Sequence, residues 1–332
     1  MGDGAGSRGH DPQSGGRCGT ATSQPPAPGG TIRAAVYLPA MADGTVFDAV
    51  ADDYDRHRPA YPDALVDRAC ELAGLARGAT VLEVGCGTGQ LTRSLLGRGL
   101  RVTAVEPGGR LIARARERLG GAGGAEFVDA RLEEAPLPRA HYRAAFSASA
   151  VHWVDPDVSW RKLADALVDG GMLALVSYFG LDDGGSRDDQ LALRRVLARV
   201  APERAAEWPI YRDLDGTLAG VAQRQDNVSE AWAWLGGYDV AREYAAELFE
   251  DVQLAALPSV VEHTADALNG LLGTMSFWAR LSPRQRDELA AENRTLHERI
   301  GRPIRSSTVA CLLTARRTRR SRSLRLRAPR AP

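Results

Sequence analysis

Between residues 62 and 73 the apolar residues Leu65, Val66, Ala69, Leu72 and Ala73 recur at three- and four-residue steps, and Gly74 and Gly78 follow them. That period is helical, and the glycines close the segment. Beyond it, short apolar runs alternate with helical periods. Thr80–Val84 reads as a short strand ending in glycines, Leu91–Leu96 as a helix, Arg101–Val105 as a β-branched strand and Leu111–Leu119 as a second helix. Phe127–Val128, Ala144–Ser147 and Met172–Tyr178 supply further strands, with a helix over Val158–Leu167 before the last of them. Strands alternating with helices imply a parallel sheet covered on both faces, because parallel neighbours need crossover connections. Ligands of such sheets sit beyond the carboxyl ends of the strands.

After Tyr178 the alternation stops. Residues 186 to about 300 are mostly helical by pattern, and they are predicted to cap the sheet. Asp251–Leu257 and Ser307–Leu313 read as a late pair of strands, with helices over Leu271–Trp278 and Pro283–Glu298 between them. The fold class expected is therefore α/β, Rossmann-like and doubly wound: a mostly parallel seven-stranded sheet with helices on both faces and a helical cap insertion. The predicted organisation is an extension over residues 1–40, a core over 41–180, a mostly helical cap with a late strand over 181–300, a final core strand over 301–316 and a tail over 317–332. Residues 1–40, rich in Gly, Pro, Ser and Ala, bury too little apolar surface to offset the entropy of ordering, and Met41 reads as the natural start.

Composition narrows the classes of function. No run approaches the ~18 apolar residues of a membrane span, and the start lacks a secretory layout, so a cytoplasmic protein without a membrane partner is expected. Cys18, Cys70, Cys86 and Cys311 are scattered, which suggests neither a disulfide framework nor a metal site. The formal net charge of zero hides two unlike pieces: residues 316–332 carry eight Arg and no acid, leaving −8 on residues 1–315. An acidic body argues against a nucleic-acid substrate, since such affinity rests largely on neutralising phosphates. The Arg-rich tail reads as a solvated, disordered end.

The residues after each strand carry the chemistry. Glu83-Val84-Gly85-Cys86-Gly87-Thr88-Gly89 follows a strand and opens a helix, and its glycines allow a tight turn and a close ligand approach. A dinucleotide fold prefers G-x-G-x-x-G; here the spacing is G-x-G-x-G with Gln90 where a third glycine would fall, which favours S-adenosylmethionine over a dinucleotide. Glu106 ends the second strand, where a carboxylate can accept both hydroxyl protons of a ribose. Asp129 ends the third and can accept from an adenine amino group.

With these motifs, Phe146-Ser147-Ala148-Ser149-Ala150-Val151-His152-Trp153 and Asp169-Gly170-Gly171, the stretch from Phe47 to Tyr178 resembles the small-molecule class I S-adenosylmethionine-dependent methyltransferases, and Ala265–Arg316 resembles them more loosely. The resemblance implies that Glu83, Gly85, Cys86, Gly87 and Gly89 shape the methionine pocket. It further implies that Glu106 with Pro107 holds the ribose, that Asp129 with Ala130 flanks the adenine, and that Ser147 and Ala148 border the cofactor. Tyr54-Asp55-Arg56-His57-Arg58-Pro59-Ala60-Tyr61-Pro62 resembles the family's N-terminal cover, so Tyr54 and Arg58 are expected to close over the cofactor. One departure is Tyr142-Arg143, where relatives carry an acid before the fourth strand.

Methyl transfer from a sulfonium is an in-line displacement in which positioning does most of the work, and a base is needed only if the acceptor must lose a proton. His152, just past the fourth strand, is the candidate base; the same His-Trp pair shapes the pocket in many relatives. His10, His57, His141, His263 and His297 read as structural or exposed. All six tryptophans lie from Trp153 onward, and they either line an apolar acceptor pocket or pack the cap's own core. The expected activity is methyl transfer to a small, partly apolar acceptor such as a secondary metabolite or lipid-like acid, by a monomer or homodimer. A catalytically silent cofactor-binding regulator and an NAD(P)-dependent oxidoreductase are the other classes the residues leave open.

Overall fold

The computed structural model describes Met1 and residues 47–48, 51–119, 123–209 and 211–319. The proposed extension beyond Met1, the start at Met41 and the tail from residue 320 lie outside the described residues. Helices α1 (Ala51–His57) and α2 (Asp63–Leu72) lead into β1 (Thr80–Val84), α3 (Gln90–Gly97), β2 (Arg101–Glu106), α4 (Gly109–Leu119), β3 (Ala125–Asp129) and β4 (Tyr142–Ala148). A 3-10 turn over Val151–Trp153 precedes α5 (Pro156–Ala166) and β5 (Leu167–Leu181). The cap holds α6 (Arg187–Val200), the two-residue β6 (Tyr211–Arg212), α7 (Leu214–Ala222), α8 (Val228–Gly236) and α9 (Ala245–Leu248). Then β7 (Phe249–His263), α10 (Ala265–Gly273), α11 (Ser276–Ala279), α12 (Pro283–Ile300) and β8 (Ile304–Arg317) complete the chain.

The sheet runs β3-β2-β1-β4-β5-β8-β7, with β6 pairing in parallel beside the end of β5. Its five leading strands are parallel, and β8 lies antiparallel between β5 and β7. The chain winds outward from β1 to β3, then returns to lay β4 on the other side of β1. This makes the β1/β4 boundary the topological switch point, where open sheets of this kind receive ligands.

Burial on both faces explains the continuous apolar runs of these strands. On one face Val81, Val102, Ala104 and Phe146 pack with Leu65, Val66 and Ala69 of α2 and Leu91 and Leu95 of α3. On the other, Leu82, Val84, Leu173 and Leu175 pack with Trp160 and Leu163 of α5 and Trp232 and Leu235 of α8. A separate apolar cluster under the cap joins Leu193 and Leu197 of α6, Leu268 of α10, and Leu289 and Leu296 of α12. Helix α12 is framed by signals in its sequence: Ser282 and Gln285 form a capping box, Pro283 opens the first turn, and Gly301 closes the last at φ 69°.

The observed architecture is the expected α/β doubly wound sheet with a helical cap, carrying eight strands where seven are predicted. The extra strand is β6, too short to leave a periodicity in the sequence. Leu167, read as the end of a helix, is the first residue of β5. The helix predicted over Leu271–Trp278 is two, because the Thr274 hydroxyl donates to the Leu271 carbonyl (2.7 Å) and ends α10. The final strand extends through Arg317, whose guanidinium donates to the Leu167 carbonyl.

Candidate active site

At the switch point the glycine turn is built from backbone conformations that a side chain opposes. Gly85, Gly87 and Gly89 have φ of 72°, 54° and 81°, in the left-handed region open to glycine at little cost. At Gly85 a Cβ would also lie 2.2 Å from the Ala150 Cβ. The turn is pinned by the Gly85 amide donating to the Val105 carbonyl (2.8 Å). Glu106, the last residue of β2, is buried. Its Oε2 accepts from the Gly87 amide at 3.0 Å and its Oε1 from the Gly108 amide at 2.9 Å. Burial still pushes its pKa up, against the pull of those two amides.

These groups open onto a cavity of about 740 Å³, within the size range of single small-molecule sites. Of the residues singled out in the sequence, Tyr54, Arg58, Gly85, Gly87, Glu106, Pro107, Ala148 and His152 line it. Other candidates stand behind the wall or beside it. Glu83 is buried in β1, its pKa raised to about 8 by burial and also by the Glu106 carboxylate, and its Oε2 has no hydrogen-bond partner. Cys86 is buried, with burial pushing its thiol pKa well up. Gly89 caps α3 and packs against Ala115. Ser147 is turned into the sheet, donating to the Val84 carbonyl at 3.0 Å. Asp129 lies level with Glu106 in the β2/β3 register but is exposed, and the wall there comes instead from Arg131, Leu132 and Glu133, beyond Ala130.

The N-terminal cover is held from two sides. The Asp48 Oδ1 accepts from the Arg110 and Leu111 amides at the start of α4 (2.7 and 3.0 Å). Arg58 donates to the Thr274 carbonyl (2.9 Å) and lies over the Tyr54 ring, 5.3 Å from its centroid. Its Nε is buried without a partner, and among the described residues no carboxylate pairs with it. Gly270 of α10 lets the cover approach, since a Cβ there would lie 2.4 Å from the His57 ring.

His152 stacks on Tyr238, ring centroids 3.9 Å apart and planes 2° apart. Burial, and then the charge of Arg58, lower its pKa to about 3, so the imidazole is neutral at pH 7. Its Nδ1 is buried without a partner. The ring therefore serves as a packing surface and hydrogen-bond acceptor more readily than as a proton store.

A hydroxyl chain that local sequence reading does not find runs alongside. Tyr61 donates to Ser149 Oγ (3.2 Å), and Ser149 shares a 2.9 Å hydrogen bond with Ser177 of β5. Ser177 and Tyr238 both line the cavity. Ser149 has φ 52°, a costly conformation for a serine of the kind found at functional sites. Of the six tryptophans only Trp153 lines the cavity; Trp160 and Trp232 are fully buried in the core beneath the cap. Among the described residues no cluster of His, Cys, Asp or Glu suits a metal ion, and no helix is long and apolar enough to cross a membrane.

The methyltransferase domain family matches residues 82–175, the segment from β1 to β5. An uncharacterized methyltransferase of Mycobacterium tuberculosis is 34% identical over 154 residues, 46% of this chain and 58% of that relative. An uncharacterized methyltransferase of Geobacillus thermodenitrificans is 31% identical over 204 residues, 57% of this chain and 93% of that relative. The chain belongs to the class I S-adenosylmethionine-dependent methyltransferase family. A solved structure from Anaeromyxobacter dehalogenans, described as a candidate type II methyltransferase, matches this methyltransferase with a TM-score of 0.51 at 26% identity, over 79% of this chain and 97% of that one. The match thus spans little more than half the length of the mycobacterial relative and nearly all of the Geobacillus one.

Proposed function

We propose that the chain binds S-adenosylmethionine between Gly85 and Glu106 and transfers its methyl group to a small-molecule acceptor held under the cap. The observation that carries this reading is the Glu106 carboxylate, buried at the end of β2 and facing the cavity while two amides fix its orientation. Each oxygen keeps a further lone pair, so the group can receive both hydroxyl protons of a ribose. The bare backbone at Gly85 and Gly87 gives a ligand close approach. Arg58, with its charge unmatched by any carboxylate among the described residues, suits the cofactor's α-carboxylate, with Tyr54 beneath it. Val105, Leu111 and Leu132 offer apolar surface for a purine. Asp129, exposed beside this surface, would meet the adenine only at its rim.

When bound, the sulfonium supplies a methyl group to the acceptor's nucleophile in line, the carbon–sulfur bond breaking with its electron pair left on sulfur. The chain's contribution is to orient and enclose, an effect worth up to ~7–11 kcal/mol in ideal cases. Trp153 and Phe47 close the aromatic side of the chamber, rings 5.6 Å apart. His152, neutral and stacked on Tyr238, holds the wall where acceptor and cofactor would meet. Calorimetric titration of the full chain with S-adenosylhomocysteine, and separately with NADH, tests the reading. Micromolar binding of the first alone is expected. Binding of NADH instead, or of neither, would overturn it.

A further inference from the structure

Resting on that assignment of the cofactor end, the geometry points to an acceptor arm built for an uncharged, planar, hydroxyl-bearing molecule, whose hydroxyl is held by Ser149 and Ser177. From Tyr178 onward the cavity wall is apolar and aromatic, with Phe179, Tyr211, Leu235, Val261, Met275 and Phe277 on it. Its polar side chains are mostly hydroxyls, those of Ser259, Ser276, Ser306 and Thr308 among them, with Ser177 next to Tyr178. Among the described residues of this arm only Glu207 and His263 are acidic or basic near neutral pH. The Glu207 carboxylate is already taken by Arg204 (3.0 Å) and Arg280, and neither arginine lines the cavity. Burial lowers the pKa of His263, which favours its neutral form. With the cofactor's α-carboxylate on Arg58, a further carboxylate or ammonium carried into this arm would lose its water without gaining a counter-ion, which is costly.

The hydroxyl chain supplies what a neutral alcohol or phenol needs. In the Ser149–Ser177 contact either oxygen can be the donor, and a hydroxyl can give one hydrogen bond while accepting others. The chain is anchored by Tyr61, which donates to Ser149 and stacks on Tyr178 with centroids 5.9 Å apart. It runs from the end of β4 to β5, beside the switch point, because Ser149 follows β4 and Ser177 lies on β5. The left-handed conformation of Ser149 puts its side chain on this path.

The experiment compares 2-naphthol, 2-naphthoate and 2-methoxynaphthalene by calorimetry on the full chain, each with and without saturating S-adenosylhomocysteine. We expect 2-naphthol to bind roughly 10-fold or more tightly than 2-naphthoate. Ser177→Ala and Ser149→Gly, the second of which removes the hydroxyl and also relieves the backbone, should each weaken 2-naphthol by about 3- to 10-fold. Neither should change the affinity of 2-methoxynaphthalene, which cannot donate, by more than about 2-fold, or the affinity for S-adenosylhomocysteine. Equal or tighter binding of 2-naphthoate, no binding of 2-naphthol, or no effect of either substitution would overturn the inference. Failure of S-adenosylhomocysteine alone to bind would count against the cofactor assignment; the selectivity of this arm would then be read on Arg58→Gln, which lacks the one cavity guanidinium over Tyr54 that could pair with 2-naphthoate outside the arm.

Discussion

The cavity has two ends assembled in different ways: around Gly85 and Glu106 the wall comes chiefly from β1, β2 and the turns that follow them, closed by Tyr54 and Arg58 of the cover, whereas under the cap it draws on Tyr61, Ser149, Ser177, Tyr238 and Phe277, spread over more than 200 residues. The first end is backbone-rich, with glycines in left-handed conformations and amides aimed at one carboxylate. The second is side-chain-rich and nearly free of charge. A site made of backbone leaves little room for variation, because its shape is set by φ angles and strand ends. A site made of side chains on a cap can be rewritten residue by residue on the same sheet. This division suits one shared cofactor and many acceptors.

The strongest way to break the comparison is to remove Glu106. Glu106→Ala should weaken S-adenosylhomocysteine by about 3 kcal/mol or more, roughly 100-fold, since a charged acceptor of two hydroxyls is lost and the Gly87 and Gly108 amides are left without it. Calorimetry reads this directly, and unchanged affinity would remove Glu106 from the site. Binding of 2-naphthol under the cap should change far less, because that end is held by other elements.

A second perturbation separates backbone from side chain within the glycine turn. Gly85→Ala combines a φ of 72° with a Cβ placed 2.2 Å from the Ala150 Cβ, and should destabilise the chain by ~2–3 kcal/mol. Ala150→Gly in the same chain removes one half of the clash. The double variant should therefore recover part of the loss in thermal unfolding, leaving the φ strain. Full recovery would mean that sterics alone demanded the glycine; no recovery would mean that conformation alone did.

Legibility followed the same division. The turn and the place of Glu106 on the cavity wall were readable because each is fixed by its distance from a strand end, and strand ends show in the apolar pattern; Glu83, read with them, lies behind the wall. Where side-chain direction matters, the reading failed by small steps. Ser147 and Ala148 are neighbours on β4, yet only Ala148 reaches the cavity, because successive strand residues point to opposite faces. Asp129 holds its predicted register but is exposed and off the cavity wall, which resumes two residues later. The Tyr61–Ser149–Ser177 chain had no local signature, since its two contacts span 88 and 28 residues of sequence. The tryptophans follow the blander of their two readings: Trp160 and Trp232 are buried, Trp208, Trp234 and Trp278 pack against the core, and the cavity's aromatic surface is chiefly Tyr and Phe.

Two buried groups behind and beside the cavity give opposite pH signatures. Glu83 has a folded pKa raised to about 8, so its burial costs stability progressively as pH rises from about 4.5 towards 8. His152 has a folded pKa lowered to about 3, so its burial costs stability as pH falls from 6.5 towards 3. Between pH 4.5 and 6.5 the two slopes oppose each other. Above pH 6.5 only the Glu83 slope remains, and stability should fall by ~2 kcal/mol from pH 6.5 to 8. Glu83→Gln should flatten this limb in denaturant unfolding at the two pH values; a wild-type chain equally stable at both would show that Glu83 is not desolvated as the structure has it.

The smallest effect falls on His152, where the two ends of the cavity meet. If the imidazole is chiefly a packing surface against Tyr238, its loss should cost about 1 kcal/mol in unfolding for His152→Ala, the scale of one stacked pair, and His152→Phe should recover most of that. The protonation state supplies a readout that packing alone does not move. The His152 ring resonance in an NMR titration should stay at its neutral position from pH 8 to 5, because protonation is set well below that range by burial and by Arg58. Arg58→Gln removes the neighbouring charge and should raise the His152 midpoint without bringing it to 6.5, since burial is the larger cause. A wild-type midpoint near 6.5 would instead make His152 a proton acceptor poised for catalysis, and would return chemistry to a position where the fold shows stacking.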